Sequence, residues 1–279
     1  MGVLVGTYLR ARRAMVRPQD VDLPVGLGWR RVAGLRREEL ADLAGVSREY
    51  YTRLEQGQPI QPSLQVLRSL ADALRLDGDA TRHLLRLARI DAGEEELAPT
   101  RPAAVASMAP DLIASVSSTP AVVVDRNQDI VLANTLAGRI GYGRLVPSRN
   151  LVEVAFDAVY RRATPRWASA AAWAVAALRF YGDPRDTRFA EVVSGAQARH
   201  GQLFETMWER HEAHAFSATA VDLPLDGRTV QMRVQGLEIS ASGLHLLMCH
   251  SVGSTDRGLP GRRRSVRSDR THGRLGLVA

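Results

Sequence analysis

Apolar residues recur every three or four positions through the first third of the chain and every second position near its end. Over residues 3–16, Val5, Tyr8, Leu9 and Arg12 fall at helical spacing, and Pro18 ends the run. Residues 18–34 hold two prolines and three glycines and read as a loop. Residues 35–57 then read as two short helices and a tight turn. Leu40, Leu43 and Ala44 make the apolar face of the first, and Ala41 is small where the second crosses it. Gly45 ends the first helix in a left-handed conformation, and Ser47 caps the second. Tyr51 and Leu54 face inward, leaving Arg48, Glu49, Thr52 and Arg53 outside. Ser63 caps a fourth helix with Leu64, Leu67, Leu70, Ala71 and Leu74 on one face. Gly78 breaks it, and Asp79 caps a fifth running to about Ile90, with Leu84, Leu85, Leu87 and Ala88 apolar. Five helices close a small all-α domain over residues 1–90.

Residues 91–107, rich in Pro, Ala and acids, read as a linker. Beyond it the pattern mixes the two periods over residues 108–252. A short helix is expected at 111–118 and strands at 121–125 and 130–133, joined by a turn at 126–129. Asn134 caps a helix to about Ile140, and further helices follow at 151–160, 167–180, 187–199 and 203–214. The Ala-rich 167–180 segment is apolar on most of its surface and is expected to be buried or to cover a cavity. Residues 217–225, 229–239 and 244–251 alternate like strands, with turns at Asp226-Gly227 and Ser242-Gly243. Five antiparallel strands with helices on one face make an α+β domain. Residues 253–279 are rich in Arg, Gly and Ser with almost no apolar anchor, and disorder is expected.

Charge sharpens this division. The chain carries +7 formally, from 37 basic residues that are all Arg. The balance is +5 over residues 1–90, −3 over 91–255 and +5 over 256–279, so affinity for a polyanion is expected at the two ends. The single cysteine, Cys249, rules out an intrachain disulfide. No run approaches the roughly 20 apolar residues of a membrane span, and the start lacks a signal-peptide core, so a cytoplasmic protein is expected.

The run Gly-Leu-Arg-Arg-Glu-Glu-Leu-Ala-Asp-Leu-Ala-Gly-Val-Ser-Arg-Glu-Tyr-Tyr-Thr-Arg-Leu-Glu-Gln-Gly (34–57) closely resembles the XRE, or phage-repressor-type, helix-turn-helix family. More narrowly it is similar to the actinobacterial branch with an MmyB-like C-terminal ligand-binding domain. Asp20-Val21-Asp22-Leu23-Pro24 and Pro62-Ser63-Leu64-Gln65-Val66-Leu67 continue the likeness, as do Thr119-Pro120-Ala121, Arg149-Asn150-Leu151 and Met207-Trp208-Glu209-Arg210-His211. The resemblance implies a PAS-like second domain that holds a small apolar, acyl-chain-like ligand, and binding as a homodimer to a double-stranded DNA operator. It places Arg48 and Glu49 at base-reading positions, with Thr52 and Arg53 one turn on. Arg37 stands where a backbone or base-edge contact is made, and Gln56 where a backbone contact is made. Two places where the family often has Trp hold Gln128 and Ala133, and the basic tail is outside the family pattern.

Arg48 and Arg53 have the donor geometry for guanine, and Glu49 can accept from cytosine or pair with Arg53 across one turn. Tyr50 either touches a phosphate or packs at the rim. The Arg cluster of the tail either adds phosphate contacts or is a solvated tail. Trp167, Trp173, Phe180, Phe204 and Trp208 either line a ligand cavity or form ordinary core. His211 and His214, three apart on the expected 203–214 helix, lack a third ligand nearby, and Trp208 with His211 is expected as a packing pair. No nucleophile, phosphate loop or carboxylate pair stands out, so neither catalysis nor a cofactor is expected. Two readings of the second domain remain: a sensor for an apolar ligand, or a module that only dimerises or binds a protein partner.

Overall fold

The computed structural model describes residues 2–23, 32–94, 110–216, 219–225, 228–239 and 243–251. The amino-terminal module packs α1 (Val3–Met15), α2 (Arg37–Ala44), α3 (Arg48–Glu55), α4 (Leu64–Ala73) and α5 (Gly78–Ala92) around one core. Tyr8, Leu9, Leu35, Leu40, Tyr51, Leu54, Leu70 and Leu84 are almost wholly buried there. Gly6 lets α1 cross the end of α3 at backbone distance: a Cβ on it would lie 2.6 Å from the Leu54 carbonyl oxygen.

Three details differ from the sequence expectations. Leu43 and Leu64 are 39% and 52% exposed, because each lies on the outer edge of its helix's apolar arc. The cap of α5 is Asp77, whose Oδ1 accepts from Ala80 N at 2.8 Å, and Gly78 is the first helical residue. The helix also continues to Ala92 and ends at Gly93 in the left-handed conformation, so its last turn occupies part of the expected linker. That last turn has a partner. The Asp91 carboxylate accepts from the N–H groups of Val5 (2.9 Å) and Leu4 (3.4 Å), capping α1, which has no side-chain cap of its own.

The second domain is a five-stranded antiparallel sheet in the order β2-β1-β5-β4-β3. Its strands are β1 (Ala121–Asp125), β2 (Ile130–Ala133), β3 (Thr219–Leu225), β4 (Arg228–Ile239) and β5 (Leu244–Ser251). The helices α7 (Leu151–Phe156), α8 (Ala158–Ala163), α9 (Trp167–Tyr181), α10 (Thr187–His200) and α11 (Gln202–Trp208) lie between β2 and β3 in the chain. Most of the helical layer covers one face of the sheet, through Val122, Val124, Val221, Val234 and Leu247. The other face is not bare: α6 (110–115) brings Ile113 against Val123 and Leu246.

Local chemistry redrew several elements. Asn134 accepts from Ala137 N, yet the glycines at 138 and 141 leave only a 3-10 turn over Ala137–Arg139. The expected 151–160 helix is two, because Asp157 takes an extended ψ and caps the second through Val159 N and Tyr160 N. The expected 203–214 helix stops at Trp208, and His211 takes a positive φ of 48°. His211 and His214 therefore do not share a helical face. Trp208 stacks on Phe204, with ring centroids 5.5 Å apart, and carries the Arg179 guanidinium 3.9 Å from its own ring. His211 lies against Tyr8. The Asp226-Gly227 turn, most of the Ser242-Gly243 turn, residues 95–107 of the expected linker and the Arg-rich tail lie outside the described residues.

Candidate nucleic-acid interface and ligand cavity

The two-helix unit is assembled by its own backbone. Gly45 takes φ 67°, its N–H and that of Val46 return to the end of α2, and the Ser47 hydroxyl accepts from Tyr50 N at 3.1 Å. This turn fixes α3 against α2 through buried Ala41, Tyr51 and Leu54. Arg48, Glu49, Arg53 and Gln56 are exposed on α3 and just past its end, whereas Tyr50 and Thr52 are half-buried. Tyr50 packs partly on the core. Arg53 donates to Gln58 Oε1 at 2.9 Å rather than pairing with Glu49, and Gln58 Nε2 donates on to Gln56 Oε1 at 3.4 Å. Glu49 has no ion pair among the described residues.

Sequence reasoning passed over Glu55. Its carboxylate is fully buried and accepts from Arg13 Nε (2.9 Å) and Nη2 (3.1 Å) and from Arg37 Nε (3.1 Å) and Nη2 (2.8 Å). Arg10 Nη2 donates to the Glu55 carbonyl at 3.0 Å. Burial alone would raise the Glu55 carboxyl, but the hydrogen bonds and charges of Arg13 and Arg37 together hold it below the ordinary value. Arg37 is thus held by α3 while its side chain stays partly exposed. The signal available in the sequence was position: Glu55 lies one turn beyond Tyr51, on the inward side of α3.

In the second domain, a void of about 70 Å³ lies between the sheet and the helices. Val122, Val221, Val234 and Leu247 form its floor, Leu151 and Val154 of α7 one wall, and Ala170, Trp173 and Ala174 of α9 another. Polar atoms are few. The Tyr160 hydroxyl donates to the Asp222 carbonyl at 2.7 Å, and burial pushes the Cys249 thiol up to about 12. The Trp173 indole nitrogen is buried without a hydrogen-bond partner. Of the five aromatics singled out by sequence, Trp173 lines this void. Trp167, Phe204 and Trp208 belong to a second cluster with Phe156 and Phe189 among the helices.

Phe180 has another place altogether. Its ring stacks against His83 of α5, with centroids 6.4 Å apart, and lies 5.3 Å from the Arg82 guanidinium. Arg86 Nη1 donates to the carbonyls of Phe180 (2.8 Å) and Gly182 (2.9 Å), just past α9. Asp79 Oδ2 accepts from Ala215 N at 2.8 Å. One helix therefore walls the void at its start and grips α5 at its end. Burial, and then the charge of Arg179, pushes His83 down to about 3 and His211 to about 4.

A helix-turn-helix module docked on a domain with an internal apolar void defines a DNA-binding transcription regulator with a ligand-binding domain. The comparisons agree. A helix-turn-helix family model matches residues 4–84, and the model described as the MmyB-like transcription regulator ligand binding domain matches residues 105–257. The chain belongs to this MmyB-like family of regulators. No individually curated protein matches it. Among the described residues, no helix is long and apolar enough to cross a membrane.

Proposed function

We propose that the chain reads a specific operator with α3 and adjusts its grip in response to a small, mainly apolar, acyl-chain-like ligand. In this reading Arg48, Glu49 and Arg53 meet base edges in the major groove with Thr52 beside them, while Arg37, Tyr50 and Gln56 meet the backbone. The helical unit through Ala92 binds DNA as a homodimer, and the unit from residue 110 onward senses the ligand. The observation that carries the reading is α9, which walls an apolar void with Trp173 and Ala174 and is hydrogen-bonded into the helical module through Arg86. A ligand that prefers one setting of α9 shifts the population of domain arrangements and so the operator affinity. The test is mass spectrometry of the purified full chain for a co-purified ligand, with operator affinity measured before and after its removal. An affinity that stays the same whether the void is filled or empty overturns the coupling. The small volume of the void favours a second reading, in which this domain only dimerises or binds a protein partner. A void that takes up no hydrocarbon chain would select it.

A further inference from the structure

The carboxyl end of α3 is closed by a turn that bears on one of its exposed side chains. Gly57 takes φ 70°, its N–H returns to the Leu54 carbonyl at 3.0 Å, and the Gln58 N–H returns to the Arg53 carbonyl at 3.1 Å. The Gln58 carbonyl accepts in turn from Ile60 N at 2.6 Å. Its backbone thus fixes Gln58 beside Arg53, and its side chain makes a second link: Oε1 accepts from Arg53 Nε at 2.9 Å. Gln58 Nε2 donates to Gln56 Oε1 at 3.4 Å, which sets the amide with its oxygen toward Arg53.

The partner that Arg53 takes is a neutral one. Glu49 stands one turn before Arg53, in the order that favours an ion pair along a helix, yet the guanidinium goes to Gln58. A carboxylate would offset the charge of Arg53, whereas an amide oxygen fixes the side chain and leaves that charge whole. The amide also engages Nε alone. The two Nη groups have no partner among the described residues, and together they form the fork that matches O6 and N7 of guanine. We propose that Gln58 is a positioning residue for Arg53, holding it off Glu49 so that α3 presents a cationic and an anionic base reader one turn apart. Gln58 acts this way only if Arg53 contacts a base, as read above. Without Gln58, Arg53 falls back onto Glu49, and the two readers mask each other.

DNA fragments selected by the full chain from a random pool supply the operator, and fluorescence anisotropy at several salt concentrations gives the affinities. Arg53→Ala identifies the guanine it faces as the position where base preference is lost. Gln58→Met keeps the backbone bonds of the turn and removes the acceptor. It should weaken the operator about fivefold with the salt slope intact, the cost of ordering one long side chain and drawing it off Glu49. Replacing that guanine in the operator, or adding Arg53→Ala, should abolish the effect of Gln58→Met. In a Glu49→Ala background the loss should shrink to about twofold, since no carboxylate is left there to capture Arg53. A loss that persists in the Arg53→Ala chain, or that comes with a shallower salt slope, overturns the proposal, because Gln58 then touches DNA itself. An operator affinity that Gln58→Met leaves unchanged overturns it as well, as does a loss undiminished in the Glu49→Ala chain. If Arg53→Ala leaves every base preference in place, the base-contact reading of Arg53 falls, and the role of Gln58 with it.

Discussion

Arg13 of α1 and Glu55 of α3 form a bidentate pair, Nε to Oε2 at 2.9 Å and Nη2 to Oε1 at 3.1 Å, at the point where the recognition helix ends. Arg37 of α2 takes the same Oε1. One buried carboxylate therefore holds all three helices that orient the DNA-facing surface. Glu55→Ala leaves the largely buried Arg13 guanidinium without its counter-charge and should cost about 3 kcal/mol in urea unfolding. An effect under about 0.5 kcal/mol would mean the clamp is dispensable. The pH dependence has a definite sign. Because the folded carboxyl sits below its ordinary value, its stabilisation is complete above the unfolded value of 4.5 and disappears as pH falls through the folded one. Glu55→Gln should flatten the stability profile in that acid range.

Arg48→Ala should weaken the specific operator by about 1–3 kcal/mol and relax the preference at the base it faces. Removing residues 257–279 should instead weaken specific and random DNA alike, with a shallower salt slope. Competition binding at several salt concentrations separates the two. A tail deletion that harms the operator alone would contradict a purely electrostatic role.

His83 is buried between Tyr8 and Phe180, with the Arg179 and Arg86 guanidinium groups and the titratable His211 as neighbours. The folded state keeps it neutral down to about pH 3, whereas the unfolded chain takes up the proton near 6.5. Stability should therefore fall as pH drops below about 6.5, by up to about 1.4 kcal/mol per pH unit for this group. His83→Leu removes that share of the slope. An unchanged slope in denaturation at pH 6.5, 5.5 and 4.5 would place the acid sensitivity elsewhere.

Arg86→Ala removes both hydrogen bonds that tie α5 to the end of α9. Calorimetry should show the single transition splitting into two, and any ligand effect on operator affinity should shrink. Should the scan keep one unshifted transition, the coupling does not run through Arg86.

The helix-turn-helix was legible because its determinants are local: a glycine free to take positive φ, a capping serine three residues before its N–H donor, and apolar positions one turn apart. β1, β2 and β5 were legible for the same reason. Legibility failed where distant chain decides the outcome. Phe180 and Trp173 stand seven residues apart on one helix, yet one packs on α5 and the other lines the void. Nothing near either in sequence distinguishes them. Glu55 drew no reading from the sequence, because the three arginines that converge on it come from outside its own helix. Asp79 looked like a cap and is instead an acceptor for Ala215, 136 residues away.

The carboxylate of Asp91 on the first turn of α1 sews the beginning of the helical module to its end. Chain entry and chain exit therefore lie side by side. Strain at the last turn of α5 therefore reaches α1 as well, and α1 is the helix that carries Arg13 to Glu55.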